Sequence, residues 1–195
     1  MPSAAHANWK GAGLARLREL EKVHTQVAGG TPGRKWGTEQ LNRSLMVALV
    51  AQFQTYCREL HDEAVAVHVG QATAEQQSLL EQLLTTGRKL DTHTPRTDTL
   101  GSDFGRLGFD LMAGVKAVGA VPEAALKSLD LLVEFRNAVG HGNEAKIAKL
   151  EKHGPIKATK KSYTEYRATI DGLVGTIDAV VAAKLAALLN IGPPW

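Results

Sequence analysis

Three residues in the third quarter of the chain have the types and spacing for chemistry on a phosphate: Arg136, Asn137 and His141, within Arg136-Asn137-Ala138-Val139-Gly140-His141. A guanidinium offers a planar fork of donors that holds a phosphate and stabilises negative charge as it grows there. An imidazole exchanges a proton near physiological pH and can act as general base or general acid. Together they suit displacement at a phosphodiester. That reaction removes a proton from the attacking oxygen and delivers one to the departing 5′-oxygen. His141 is the candidate base; a single histidine per chain leaves the acid to be supplied, and His141 of a second copy would supply it. Asn137, four residues before His141, could orient the imidazole or bind a phosphate oxygen.

The element that must position these groups is a helix. At about 100° per residue, Arg136, Gly140, Asn137 and His141 share an arc of about 140°. Leu131, Leu132, Phe135, Ala138 and Val139 occupy the opposite arc and are expected to face the core. Gly140, inside the polar arc, leaves room for a backbone or a substrate phosphate to approach. One or two turns earlier, Leu126, Leu129 and Val133 project on the polar side, so the helix is apolar on both sides there. In a monomer of this size such a helix could be wholly buried, with Arg136 and His141 then pushed toward apolar surroundings; the expectation is instead a subunit interface beside the polar arc, because a two-fold interface uses one patch on both partners and would bring two copies of Arg136, Asn137 and His141 together.

The string Leu132-Val133-Glu134-Phe135-Arg136-Asn137-Ala138-Val139-Gly140-His141-Gly142-Asn143 resembles the signature of the HEPN superfamily: Arg, a polar residue, a few further positions, then His near a helix end, followed by Gly. With a long upstream helix carrying Leu49, Phe53, Tyr56 and Leu60, the chain is similar to the RiboL-PSP-HEPN branch. The resemblance spans residues 38 to 190 in helix order, and its specific part is about a dozen residues. It implies an all-α homodimer that cuts RNA without metal or cofactor, with the motif Arg and His lining a composite cleft and leaving a 2′,3′-cyclic phosphate end. It also implies a biological setting, a toxin or antiphage effector with an antitoxin or defence-system partner. Some superfamily members are binding or scaffold modules, so a non-catalytic RNA-binding or protein-interaction module is the alternative. Many relatives carry an acidic residue in the first long helix facing the motif. Here Gln54 stands at that place: either the position is only structural, or a neighbour such as Glu59 or His61 substitutes, or catalysis is weak.

The net charge of +3 hides a segregation. Residues 44 to 145 carry eight Lys/Arg against thirteen Asp/Glu, whereas residues 146 to 167 carry seven against two. Lys146, Lys149 and Lys152, directly after the motif, are the candidate RNA-binding residues, since lysines attract phosphate backbones by releasing condensed counterions. His153 belongs to the same segment. The lone Cys57 has no partner for a disulfide and reads as a buried thiol. A chain of 195 residues with 44 % hydrophobic content suffices for one domain. Its apolar stretches are interrupted by Lys, Asp or Gly, and no signal segment is evident, which gives a cytoplasmic expectation without a membrane span.

The elements follow from periodicity and caps. Leu14, Leu17, Leu20 and Val23 predict a first helix, stopped by a Gly/Pro loop running to about Gly37. Thr38 caps a long helix to about Val69, and Thr73 caps another reaching about Leu90. Thr92 to Gly101 reads as a connection, and Ser102 to about Val118 as a shorter helix. Pro122 opens the motif helix, Gly140 and Gly142 close it, and Glu144 to Lys152 forms a short helix. Ser162 and Glu165 have capping-box spacing for a final helix along Tyr166, Ile170, Leu173, Val174, Ile177, Val181, Leu185 and Leu188. No stretch alternates with a period of two, so the class is all-α, an antiparallel bundle. His61 and His68, seven apart, lack the spacing of a helical metal pair. Neither Gly29 to Lys35 nor Gly105 and Gly108 form a phosphate or dinucleotide loop, having no preceding strand.

Overall fold

The longest element is α3 (Trp36–Val69), and it runs through the centre because its apolar residues recur on every turn. Leu45, Met46, Leu49, Val50, Phe53, Tyr56, Cys57, Leu60, Ala64 and Val65 are all buried. The structure, a computed structural model, describes residues 1–28, 36–154 and 156–195. The predicted loop from Gly29 to Lys35 lies outside the described residues, as does the side chain of His153. Every regular element among the described residues is helical, and the fold is all-α.

Before α3 come α1 (Ala4–Asn8), a π-helical turn Trp9–Gly13 and α2 (Leu14–Ala28). After it come α4 (Ala74–Thr85), a 3₁₀ turn Lys89–Asp91, α5 (Thr97–Gly105), α6 (Leu111–Val118), α7 (Ala120–Gly140), α8 (Glu144–His153) and α9 (Lys160–Leu189). Helices α3, α7 and α9 pack against one another around one hydrophobic core. Tyr56 on α3, fully buried, donates its hydroxyl to the Val174 carbonyl of α9 at 2.9 Å, so the core carries one polar tie between its two longest members. Helix α6 lies close on α9: a Cβ added to Gly114 would meet Val180 Cγ1 at 2.6 Å, so glycine is what lets the backbones approach.

Several expected boundaries move. Helix α3 begins at Trp36, so Thr38 lies inside its first turn rather than capping it. Thr73 does cap α4 in a box with Gln76, but α4 stops at Thr85 and a 3₁₀ turn follows. The expected connection after Thr92 is helical from Thr97, and the single helix expected up to Val118 is two, because Asp110 caps α6 by accepting from the Ala113 N–H. Helix α9 is capped by Thr159, whose hydroxyl accepts from the Ser162 N–H, three residues before the predicted box. On α2, Leu17 is buried while Leu20 and Val23 face solvent. By length and composition alone α9 is apolar enough to cross a membrane, contrary to the expectation of interrupted runs. Tyr163, Ile170, Leu173, Val174, Ile177, Val181 and Leu185 are buried against the bundle, and 39 % of the apolar window lies inside it.

The largest correction concerns α7. Leu126, Leu129 and Val133 are buried within the chain, as are Leu132, Phe135 and Ala138 on the other side. The helix is apolar on two sides because its neighbours α3, α5, α6, α8 and α9 surround it. The inner apolar face therefore does not by itself call for a partner subunit.

Candidate active site

The motif occupies the last turns of α7 and the corner where the chain reverses into α8. His141 ends the helix (φ −96°, ψ 4°) and Gly142 follows in the left-handed region at φ 62°. The Gly142 N–H donates to the Val139 carbonyl at 3.1 Å and the Asn143 N–H to Ala138 at 2.9 Å, the paired bonds of a Schellman cap. Asn143 then caps α8, its Oδ1 accepting from the Lys146 N–H at 3.0 Å. Gly142 and Asn143 are thus accounted for by a reversal that takes only three residues. The corner is fastened to α3 by Arg43, itself buried, which donates to Glu144 at 2.9 and 3.1 Å and pairs with Glu39 at 3.0 Å.

Arg136 and Asn137 are half-buried, while Gly140, His141 and Gly142 are exposed. Arg136 Nη1 donates to Asn137 Oδ1 at 3.1 Å, so Asn137 steadies the guanidinium rather than the imidazole. Among the described residues the imidazole of His141 has no hydrogen-bond or ionic partner, and its donor and acceptor are available to a ligand. Along the helix Arg136 and His141 are about 7.5 Å apart, so one phosphodiester can touch both. A Cβ at Gly140 would meet nothing within 4 Å, which leaves the space between them open.

The three candidate lysines separate. Lys146 is committed to Glu134 on α7 at 3.0 Å. Lys149 and Lys152 are exposed on α8 and have no carboxylate partner among the described residues. Further along the basic run, Lys160 and Arg167 both turn to Glu21 on α2, a grouping the linear order conceals. Arg43 was equally hidden, although a charged residue beside the apolar stripe of α3, four positions after Glu39, was the available signal.

The residues beside the expected acidic position have other work. Gln54 donates its amide to the carbonyls of Leu90 and His93, each at 2.8 Å, which a carboxylate could not do. Glu59 accepts from Asn8 on α1. His61 is fully buried with its ring edge against Phe104. Its Nε2 faces the Asp103 carbonyl at 3.1 Å and must donate; its Nδ1 faces Arg88 Nη1 at 3.4 Å and must accept. The ring is neutral in that arrangement. Burial lowers the pKa of His61 first and the Arg88 charge lowers it further, against opposing contributions from Asp103 and Asp62. Arg88 in turn binds Asp62 and Asp91, and the buried Asp103 carboxylate accepts from the N–H groups of Lys89 and Leu90. These bonds hold the segment after α4 onto α3 through Asp62 and onto α5 through Asp103.

Among the described residues, one further grouping has the residue types of a catalytic site. Ser3, His6 and Asp178 come together, yet the Ser3 hydroxyl donates to Asp178 and accepts from the His6 backbone N–H, so it is a helix cap and not a nucleophile facing a base. Burial pushes the Cys57 thiol up and leaves it inert. Among the described residues, no group of three His, Cys, Asp or Glu side chains is placed to hold a metal. No protein-family model matches the chain, and no curated protein or solved structure does.

Proposed function

We propose that this protein is a HEPN-type endoribonuclease that cuts RNA by 2′-hydroxyl attack, without metal or cofactor, at the α7–α8 corner. The observation that carries the reading is the corner itself: a guanidinium steadied by Asn137, then an exposed imidazole a turn and a half later with no partner among the described residues, and open space at Gly140 between them. Arg136 holds the phosphate and stabilises its charge, His141 takes the 2′-hydroxyl proton, and Lys149 and Lys152 draw the backbone toward the corner. The acid for the 5′-oxygen comes from His141 of a second copy. With the inner face of α7 covered, the homodimer rests on this proton inventory and on the exposed polar corner, not on an apolar seam.

The test is cleavage of single-stranded RNA in the presence of EDTA. Wild type is expected to cut and leave cyclic phosphate ends, His141→Ala to lose cutting, and excess His141→Ala added to wild type to lower its rate, since a mixed pair holds one His141 where the step uses two. Cutting by His141→Ala at the wild-type rate rules the site out. A role as toxin or antiphage effector in the cytoplasm, with an antitoxin or defence partner, follows from the same resemblance. One observation favours the second reading, a non-catalytic module: Gly142 and Asn143 are explained by the turn alone. That reading predicts RNA or protein binding at the corner, unaccompanied by cutting at any concentration.

A further inference from the structure

Helix α4 is the most loosely attached element near His61. Among the described elements it packs on α3 alone, and only one of its residues, Leu84, is buried. Turns bracket it, one at residues 70 to 72 and one at Gly87, whose φ of 71° is a conformation that side chains resist. Over residues 86 to 96 only Leu90 and Pro95 are buried, so polar ties fasten this stretch. Leu90 is pinned from two sides: its carbonyl accepts from Gln54 at 2.8 Å and Arg58 at 2.7 Å, and its N–H donates to Asp103 at 2.7 Å. The end of α4 itself is held by two arginines. Arg106 donates to the carbonyls of Leu83 and Thr86, and Arg88 crosses to Asp62 on α3.

His61 lies against that second arginine. The charged groups around its ring are Asp62 from α3 itself, Arg88 and Asp91 from the turn after α4, and Asp103 from α5; Arg58, nearly one turn earlier on α3, is directed at Leu90 and Asp91. A proton on Nδ1 would convert the acceptor facing Arg88 Nη1 at 3.4 Å into a donor, and would set two positive charges side by side around a ring that is 0 % exposed. Nε2 gives no relief, because it already donates to the Asp103 carbonyl. Asp62 and Asp91 are both engaged by Arg88, so they can answer the new charge only when Arg88 lets go. Arg88 is the next residue after Gly87 and is therefore the group placed to leave.

We propose that His61 and Arg88 form an acid-sensitive latch: protonation of the buried imidazole expels the guanidinium and lets α4 swing off α3 about Gly87 while the rest of the bundle stays folded. Asp62 remains beside the imidazolium once Arg88 has gone, which favours the proton in the released state. Release uncovers Leu84 and the half-buried Leu80 next to Leu79 and Leu83, which already face solvent, so acidity bares four leucines on one twelve-residue helix. The latch is independent of the nuclease reading.

The experiment is native-state hydrogen exchange on the full chain at about pH 7.5 and about pH 5.5, read as protection factors corrected for the intrinsic rate. The closed ring titrates below the ordinary 6.5, burial being the leading cause, so below 6.5 the open state binds the extra proton and gains up to about tenfold per pH unit. Amides of α4 are expected to lose about tenfold in protection across that interval, to stay less protected than those of α9, and to exchange with little dependence on urea, the mark of a local opening. His61→Gln can keep a donor for the Asp103 carbonyl and an acceptor for Arg88 but does not titrate, and should flatten the α4 response. Arg88→Met removes the group that the proton expels; it should leave α4 at the higher pH as weakly protected as wild type at the lower one, and it serves if His61→Gln does not fold. Equal α4 protection at the two pH values overturns the latch. So does exchange of α4 at the α9 rate with the same urea dependence, or an intact pH response in His61→Gln.

Discussion

Two histidine-bearing regions of this chain make opposite use of the same side chain. His61 is sealed in the wall between α3 and α5, with both ring nitrogens spoken for by the Asp103 carbonyl and Arg88. His141 stands at an exposed helix end with neither nitrogen engaged among the described residues. The first ring is a joint: around it Arg88, Asp62, Asp91, Asp103 and Gln54 satisfy one another and pin the segment after α4. The second is held in place by the turn that follows it, while its own hydrogen-bonding capacity is left over. Residue type and helical phase do not distinguish the two. What distinguishes them is whether the surroundings exhaust the polar groups, and left-over capacity on a rigid support is what a binding or catalytic site requires.

The sharpest way to break this contrast is His141→Ala. RNA cleavage is expected to fall by about 10²–10⁴ while stability in urea stays within about 0.5 kcal/mol of wild type. A comparable loss of stability would make His141 a joint like His61. The converse substitution, His61→Ala, should lower stability by about 3 kcal/mol, since it opens a cavity and strips Arg88 and the Asp103 carbonyl of a partner. Cleavage per folded molecule should not change, as measured under conditions where the variant is fully folded.

Acidity sharpens the contrast further. His61, His24 and His68 all have pKa values below the ordinary 6.5, burial being the leading cause for each. Between 6.5 and the lower folded value the unfolded chain binds the extra proton. Stability should therefore decline as pH falls below 6.5, and urea titrations of His61→Gln should show a shallower decline than wild type. Gln54→Glu tests the same network by placing acceptors against two carbonyls; a loss of roughly 2 kcal/mol is expected. The smallest effect belongs to the corner itself. Gly142→Ala, at φ 62°, should cost about 1 kcal/mol and lower cleavage only as far as it displaces His141, which relative rates and melting temperatures together would separate.

Much of this was legible before any coordinates. Leu45 to Leu60 on α3 and Tyr166 to Leu188 on α9 announce apolar helical faces because their spacing matches the helical repeat; those faces are buried, except that Tyr166 is half-buried and Leu188 exposed at the ends of the second. The close of α7 at Gly140 and Gly142 was equally plain, a left-handed glycine being a local device. The failures share a cause. Thr38, Ser162 and the stretch after Thr92 were judged on local pattern where tertiary contacts decide the helix ends, as Asp130 of α7 does by accepting from the N–H and hydroxyl of Thr97 to start α5. For the apolar flank of α7, burial within the chain and a subunit interface were both open, because spacing along one helix cannot count how many neighbours will surround it; the flank is buried within the chain.

The amino-acid order alone determined an all-helical chain, the phases of its long helices, and a polar arc of Arg136, Asn137 and His141 at a helix end. Tertiary structure alone decided which of the polar groups are consumed: Gln54 by two loop carbonyls, His61 by Arg88 and Asp103, Lys146 by Glu134, and Glu21 by three groups from α9. The physical reason is range. Periodicity and capping act over a few residues, whereas a hydrogen bond or ion pair joins whatever the packed core brings within about 3 Å, however far apart in the chain.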